Sequence, residues 1–220
     1  MNRYQAVFFD FDYTLGDATD CIVAGFQYAF ARIGLPLPER EAVRGTIGMT
    51  LENAYSLLTG DNCSDRQVLF HDLYVEKANP LQVEGTVLFP GCPEILKWLH
   101  REGIVTAIVS TKRRWVIEEI LKHQGLWEYV AFVVGGSDVT HYKPHPDSAL
   151  LALKKAGVEA NQALFVGDTE IDAETAQRAG LDFAAVCNGT TPASAFAQWP
   201  HVYVAADLPD FQGWLKKQVL

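Results

Sequence analysis

The chain is short of positive charge. Lys and Arg number 18 against 27 Asp and Glu, a formal net charge of -9. That argues against duplex DNA or an anionic membrane as the main partner, since both call for a cationic face. A small phosphorylated molecule stays open, because it needs only a local positive pocket. Cysteine is scarce too. Cys21, Cys63, Cys92 and Cys187 form no C-x-x-C pair, and their spacing fits neither a zinc site nor a disulfide framework. No stretch approaches the length of a membrane span. The N-terminus shows no secretory pattern, since Arg3 precedes a short apolar run that ends in acids. A soluble, reducing, cytoplasmic setting is therefore expected. There is no internal repeat and no low-complexity tract.

What is present is core-forming material, 49% hydrophobic residues with 20% charged, in 220 residues. That length suits one large domain or a core domain carrying a smaller one. Tyr4 to Phe9 is an apolar run rich in β-forming residues and reads as a buried strand. From about Gly16 to Val83 the pattern is helical only. Ile22, Phe26, Ala29, Phe30 and Ile33 mark one helix, closed by Gly34 and Pro36. Leu51, Ala54, Tyr55 and Leu58 mark a second, ended by Gly60. Ser64 with Gln67 predicts a capping box opening a third, through about Ala78.

Strand and helix alternate after that. Helices are predicted near 93–101, 113–123, 147–156, up to 179 and from 208. Strands are predicted at 104–109, 130–134, 163–166, 183–186 and 202–204. This rhythm predicts a doubly wound parallel sheet covered by helices on both faces. The partners of the first strand lie beyond residue 100. Residues 16–83 therefore read as a small α-helical cap inserted into a Rossmann-like core of residues 1–15 and 84–220.

Four polar features fall at predicted strand ends, where open α/β sheets place their ligands. Asp10-x-Asp12-x-Thr14 follows the first strand. Ser110-Thr111 follows the second. Lys143, in Tyr142-Lys143-Pro144-His145-Pro146, precedes a helix. Gly167-Asp168-x-x-x-Asp172 follows the strand ending at Val166. Each alone is a common cap or turn; together they converge on one crevice. Acids crowded beside an apolar core repel and lose hydration, and a divalent cation is the simplest offset. A carboxylate can attack phosphorus. A second acid two residues on can serve the leaving oxygen and then the water. Hydroxyls and a lysine can hold phosphate oxygens.

These four motifs in this order resemble the haloacid dehalogenase superfamily, in particular its phosphoglycolate phosphatase-like branch with a helical cap. The likeness spans core and cap. It implies a Mg²⁺-dependent phosphatase acting on a small phosphorylated metabolite, as monomer or homodimer. By this resemblance Asp10 is the nucleophile and Asp12 the general acid/base. Ser110 and Thr111 bind phosphate, with Thr111 standing where relatives often have Asn. Lys143 bridges phosphate and nucleophile. The metal is held by Asp10, the main-chain carbonyl of Asp12, and Asp168, with Asp172 as supporting acid. Tyr13 departs from the pattern, since relatives commonly carry Gly there.

The dehalogenase and phosphonatase branches lack an acid at the position of Asp12, so its presence favours phosphoryl transfer. A phosphomutase of the β-phosphoglucomutase type carries the same motifs and differs in its cap. A receiver-like binding module also uses acids, a hydroxyl and a lysine, but it is smaller and lacks both the insertion and the late Gly-Asp-x-x-x-Asp. In the cap, residues 44–50 resemble the family's specificity loop, making Arg44, Thr46 and Met49 candidates for substrate selection. Met49 also fits the cap core, as do Phe26, Tyr28 and Phe30. Arg113 and Arg114 open a helix beside Ser110 and fit a surface role at least as well as phosphate binding. His141 and His145 read as structural or solvated, because Pro144 interrupts the helix that a paired site would need.

Overall fold

The structure is a computed structural model and describes residues 3–219. Its eight strands are β1 (Ala6–Phe9), β2 (Gly16–Asp17), β3 (Val87–Leu88), β4 (Val105–Val109), β5 (Phe132–Val134), β6 (Ala163–Gly167), β7 (Asp182–Val186) and β8 (Tyr203–Ala205). Among the described residues the α-helices are α1 (Thr19–Ile33), α2 (Arg40–Arg44), α3 (Leu51–Thr59), α4 (Ser64–Gly85), α5 (Cys92–Arg101), α6 (Arg114–His123), α7 (Asp147–Ala156), α8 (Glu170–Ala179) and α9 (Leu208–Val219). Two compact units result, residues 1–16 with 88–220 and residues 17–87.

The larger unit is built on a six-stranded sheet in the order β5-β4-β1-β6-β7-β8. Every pairing in it is parallel. All four residues of β1 are buried, as a strand covered on both faces requires. Its side chains alternate between two cores. Ala6 and Phe8 join Ala149, Ala152, Ala173 and Ala176 of α7 and α8 on one face. On the other, Phe9 meets Phe211 of α9 edge-to-face at 6.1 Å. The strand order reverses direction between β1 and β6, the switch point where such sheets open a crevice. Phe9 is in register with Val166, so Asp10 and Asp168 leave neighbouring strands almost side by side.

The smaller unit is helical. α1, α3 and α4 close around Phe70, whose ring lies 5.1 Å from Phe26, 5.2 Å from Tyr55 and 5.7 Å from Phe30. α4 runs to Gly85, past Ala78, with Pro80 inside it. No capping box forms at Ser64. Asp61 instead accepts from the Cys63 N–H, and Gln67 donates to Ser56 Oγ. Tyr28 is not in the core; its hydroxyl reaches Glu76 at the surface. Met49 is exposed. α2, too short for a periodic signal, was not expected. Among the described residues no helix is long and apolar enough to cross a membrane.

Candidate active site

The site is assembled from loops at the C-terminal ends of β1, β4 and β6, with the segment before α7. Asp10 follows β1 and is anchored by its N–H on Val166 O at 2.8 Å. Lys143 Nζ lies 2.8 Å from Asp10 Oδ1 and 2.6 Å from Asp172 Oδ1. These side chains are 4, 7 and 1% exposed, so one ammonium holds two carboxylates out of water. Burial opposes the charge on Lys143, but Asp10 and Asp172 outweigh it and raise its pKa. Asp10 is shifted upward as well, away from the value of a free carboxyl. Burial, only partly offset by Lys143, pushes it up to about 6.

Asp168 is perturbed in the same direction as Asp10. Burial first, then the charges of Asp172 and Asp10, raise its pKa well above the ordinary carboxylate range. Thr14 Oγ1 donates to its Oδ1 at 3.2 Å. Its Oδ2 is buried without a hydrogen-bond partner. Asp10, Asp168 and Asp172 each offer an oxygen within 4.8 Å of the others. A buried orphan oxygen in an all-oxygen, acid-rich set fits a hard divalent cation such as Mg²⁺.

Asp172 has two duties. Its Oδ2 accepts from the Thr169 N–H and hydroxyl, while Thr169 Oγ1 accepts from the Asp172 N–H, a reciprocal cap on α8. Its Oδ1 is left for Lys143. Glycines make room for these acids. A Cβ on Gly167 would fall 2.4 Å from the Asp172 side chain, and one on Gly189 would fall 2.2 Å from Asp168 Oδ2.

Asp12 stands apart from this cluster. Lys112 Nζ grips it with 2.7 and 2.8 Å contacts to its two oxygens. Its side chain therefore faces a cation of its own, leaving only its main-chain carbonyl for a metal. Directly after Asp12, Tyr13 has φ +58°. That left-handed backbone is the physical reason glycine suits this position; Tyr13 adopts it while buried. Ser110 is buried, with its N–H on Val134 O at 3.0 Å. Thr111 Oγ1 is buried without a partner.

The remaining candidates lie elsewhere. Arg44 pairs with Glu41 at 3.3 Å. Thr46 is buried and donates to Val43 O at 2.7 Å, so its hydroxyl proton is committed to the helical unit's own packing. Arg114 faces Asp138 at 3.5 Å on the surface. His141 and His145 do meet despite Pro144. Their rings are 4.5 Å apart, and their Nδ1 atoms lie 2.9 and 3.0 Å from the two oxygens of Asp147. The loop itself folds back, so no helix was needed to join them. Thr14 was named in the first motif without a role, and Lys112 and Gly189 were not singled out in the sequence. Only Thr14 had a signal, as the last position of the first motif.

The fold and this constellation define a hydrolase built for phosphoryl chemistry. The sequence matches the profile of the haloacid dehalogenase-like hydrolases over residues 7–186. The chain belongs to that family and is a phosphatase of the phosphoric monoester hydrolase class. It is 35% identical over 180 residues to the Dickeya dadantii protein named "Probable phosphatase IndB", covering 80% of this chain and 77% of that one. It is 29% identical over 209 residues to a phosphoglycolate phosphatase of Pseudomonas savastanoi pv. phaseolicola, covering 93% and 77%. A haloacid dehalogenase-like hydrolase from Bacteroides fragilis superposes with TM-score 0.91 at 35% identity, covering 94% of this chain and 99% of that one. A family member from Streptococcus pneumoniae, at 23% identity, shares the fold with TM-score 0.86, covering 97% and 99%.

Proposed function

We propose that the protein hydrolyses a small phosphate monoester, phosphoglycolate-like or a sugar phosphate, through a phospho-Asp10 intermediate and with Mg²⁺. The observation that carries this reading is the double engagement of Lys143 with Asp10 and Asp172 beside the orphan oxygen of Asp168. A lysine so placed neutralises the nucleophile and the incoming phosphate together. Asp10, Asp168, Asp172 and the Asp12 carbonyl are the residues that would hold the cation. Bound there, Mg²⁺ supplies charge neutralisation for the phosphoryl oxygens.

In the first half-reaction an Asp10 oxygen bonds to phosphorus as the bond to the leaving oxygen breaks. Asp12 gives that oxygen its proton. In the second, water attacks the phosphorus, Asp12 takes the water's proton, and the Asp10–phosphorus bond breaks to release phosphate. Ser110 and Thr111 hold phosphoryl oxygens. The separation of Asp12 from the other acids supports a division of labour between proton transfer and charge holding.

Phosphoglycolate enters as a candidate because relatives aligned over 93% of this chain carry that name. Arg44 and Met49 are the cap residues proposed to discriminate substrates. Release of phosphate from a panel of phosphorylated metabolites with Mg²⁺ tests the reading. Acid-stable labelling of Asp10 by substrate should accompany turnover. A sugar phosphate isomerised without free phosphate would instead establish a mutase.

A further inference from the structure

The contact that none of the four motifs supplies is Lys112 with Asp12. The two side chains are 8 and 11% exposed, and the ammonium lies 5.8 Å from the centre of the Phe11 ring. The partners are 100 residues apart in sequence, so two separate loops must both be held for them to meet. Both are. Tyr13 N–H donates to Gly16 O at 2.8 Å and closes the turn after Asp12. On the other side, Gly136 N–H donates to Lys112 O at 3.0 Å. A Cβ on Gly135 would fall 2.3 Å from Arg114 N, and one on Gly136 would fall 2.4 Å from Thr111 O. The loop after β4 is thus laid directly on a glycine pair, which fixes the stem of Lys112.

A nearly buried ion pair gains little net stability, because desolvation offsets most of the attraction. Its use lies in orientation. We infer that Lys112 is a positioning residue for Asp12, holding its carboxylate in one pose, clear of the Lys143 cluster, for proton exchange with the leaving oxygen. This rests on the acid/base role proposed for Asp12. One contact opens as that oxygen carries the proton; the other keeps the carboxylate aimed. Lys112 itself neither gains nor loses a proton.

The test uses the Mg²⁺-loaded enzyme and two substrates, an alkyl phosphate with a poor leaving group and p-nitrophenyl phosphate with a good one. For Lys112→Met, kcat/KM for the alkyl ester should fall about 10- to 100-fold, the effect of losing a supporting partner. For the nitrophenyl ester, which needs little protonation, the fall should stay within about 3-fold. Lys112→Arg should recover most of the loss. Adding Lys112→Met to Asp12→Asn should cost nothing more. The inhibition constant of inorganic phosphate should stay unchanged. If Lys112→Met does not fold, Lys112→Gln, which is shorter and uncharged and so loses the ion pair, carries the same leaving-group test.

Equal losses for both esters, or weakened phosphate inhibition, would place Lys112 on the substrate and overturn the inference. So would a fully additive double variant. Steep leaving-group dependence in Asp12→Asn with none in Lys112→Met would overturn the Lys112 role alone. No dependence in Asp12→Asn would overturn the Asp12 assignment and the Lys112 role with it.

Discussion

The two compact units put their interiors to different uses. The helical unit buries Phe26, Phe30, Tyr55, Phe70 and Tyr74 against one another, an ordinary apolar core whose worth is the area it removes from water. The sheet unit has such a core too, but at the ends of β1, β4 and β6 it buries Asp10, Asp168, Asp172 and Lys143. Three acids against one lysine leave that cluster short of positive charge. The lesson is that the interior of the helical unit serves stability alone, while the sheet unit gives up stability at one end to hold buried charges. Breaking the first should cost folding energy and breaking the second should cost rate.

The largest effect is expected at Asp10. Asp10→Asn should lower phosphate release on the order of 10⁴-fold or more, as loss of a nucleophile does, with an unchanged circular dichroism spectrum. Substantial residual turnover would remove Asp10 from the nucleophile role. Lys143→Ala comes next. A cost of about 10²- to 10³-fold in kcat is expected for one charge-stabilising donor, together with weaker phosphate inhibition. Unchanged kinetics would put Lys143 outside the reaction.

On the folding side, Phe70→Ala should destabilise the helical unit by about 3–5 kcal/mol, read as an earlier urea transition. A cost under about 1 kcal/mol would mean the aromatic cluster is not its core.

A pH series sharpens the contrast further. In metal-free protein the pKa of Asp10 is raised to about 6. The folded state therefore binds this proton more tightly than the unfolded chain, and wild-type stability falls as pH rises through that value. Asp10→Asn removes the penalty. Its stability advantage over wild type should be fully present above pH about 6 and fade as pH falls into the ordinary carboxylate range. Thermal melts in EDTA check this; a gap independent of pH would contradict the burial argument. Adding Mg²⁺ at pH 7.5 should raise the wild-type melting temperature and do less for Asp10→Asn.

The smallest effect is expected at Arg44, which is partly exposed and paired with Glu41. Arg44→Ala should change KM only a few-fold, about what one exposed charge supplies, and only for phosphate esters that carry a carboxylate. Equal changes for ethyl phosphate and phosphoglycolate would separate Arg44 from recognition.

Much of this was readable in advance, for reasons particular residues show. β1 announced itself because every residue in Ala6–Phe9 is buried, and a strand covered on both faces needs an unbroken apolar run. Asp10, Ser110 and Asp168 were visible because each directly follows such a run. Lys112 was not. One lysine after Ser110-Thr111 looks like any solvated loop residue, and nothing near it in the chain names its partner. The meeting of His141 and His145 was not legible because spacing along the chain suggests pairing only on a helix, whereas here a folded loop joins them. The end of α4 was misplaced because Pro80 reads as a stop, yet the helix continues through it to Gly85.

The amino-acid sequence by itself determined the alternation of strands and helices and the acids that end the strands, because apolar periodicity and turn chemistry act over a few neighbouring residues. Only the tertiary structure decided which carboxylate meets which lysine. Asp12 with Lys112, and Asp10 and Asp172 with Lys143, are joined across 29 to 133 residues. Charges so far apart along the chain choose partners only once the sheet has set the loops that carry them.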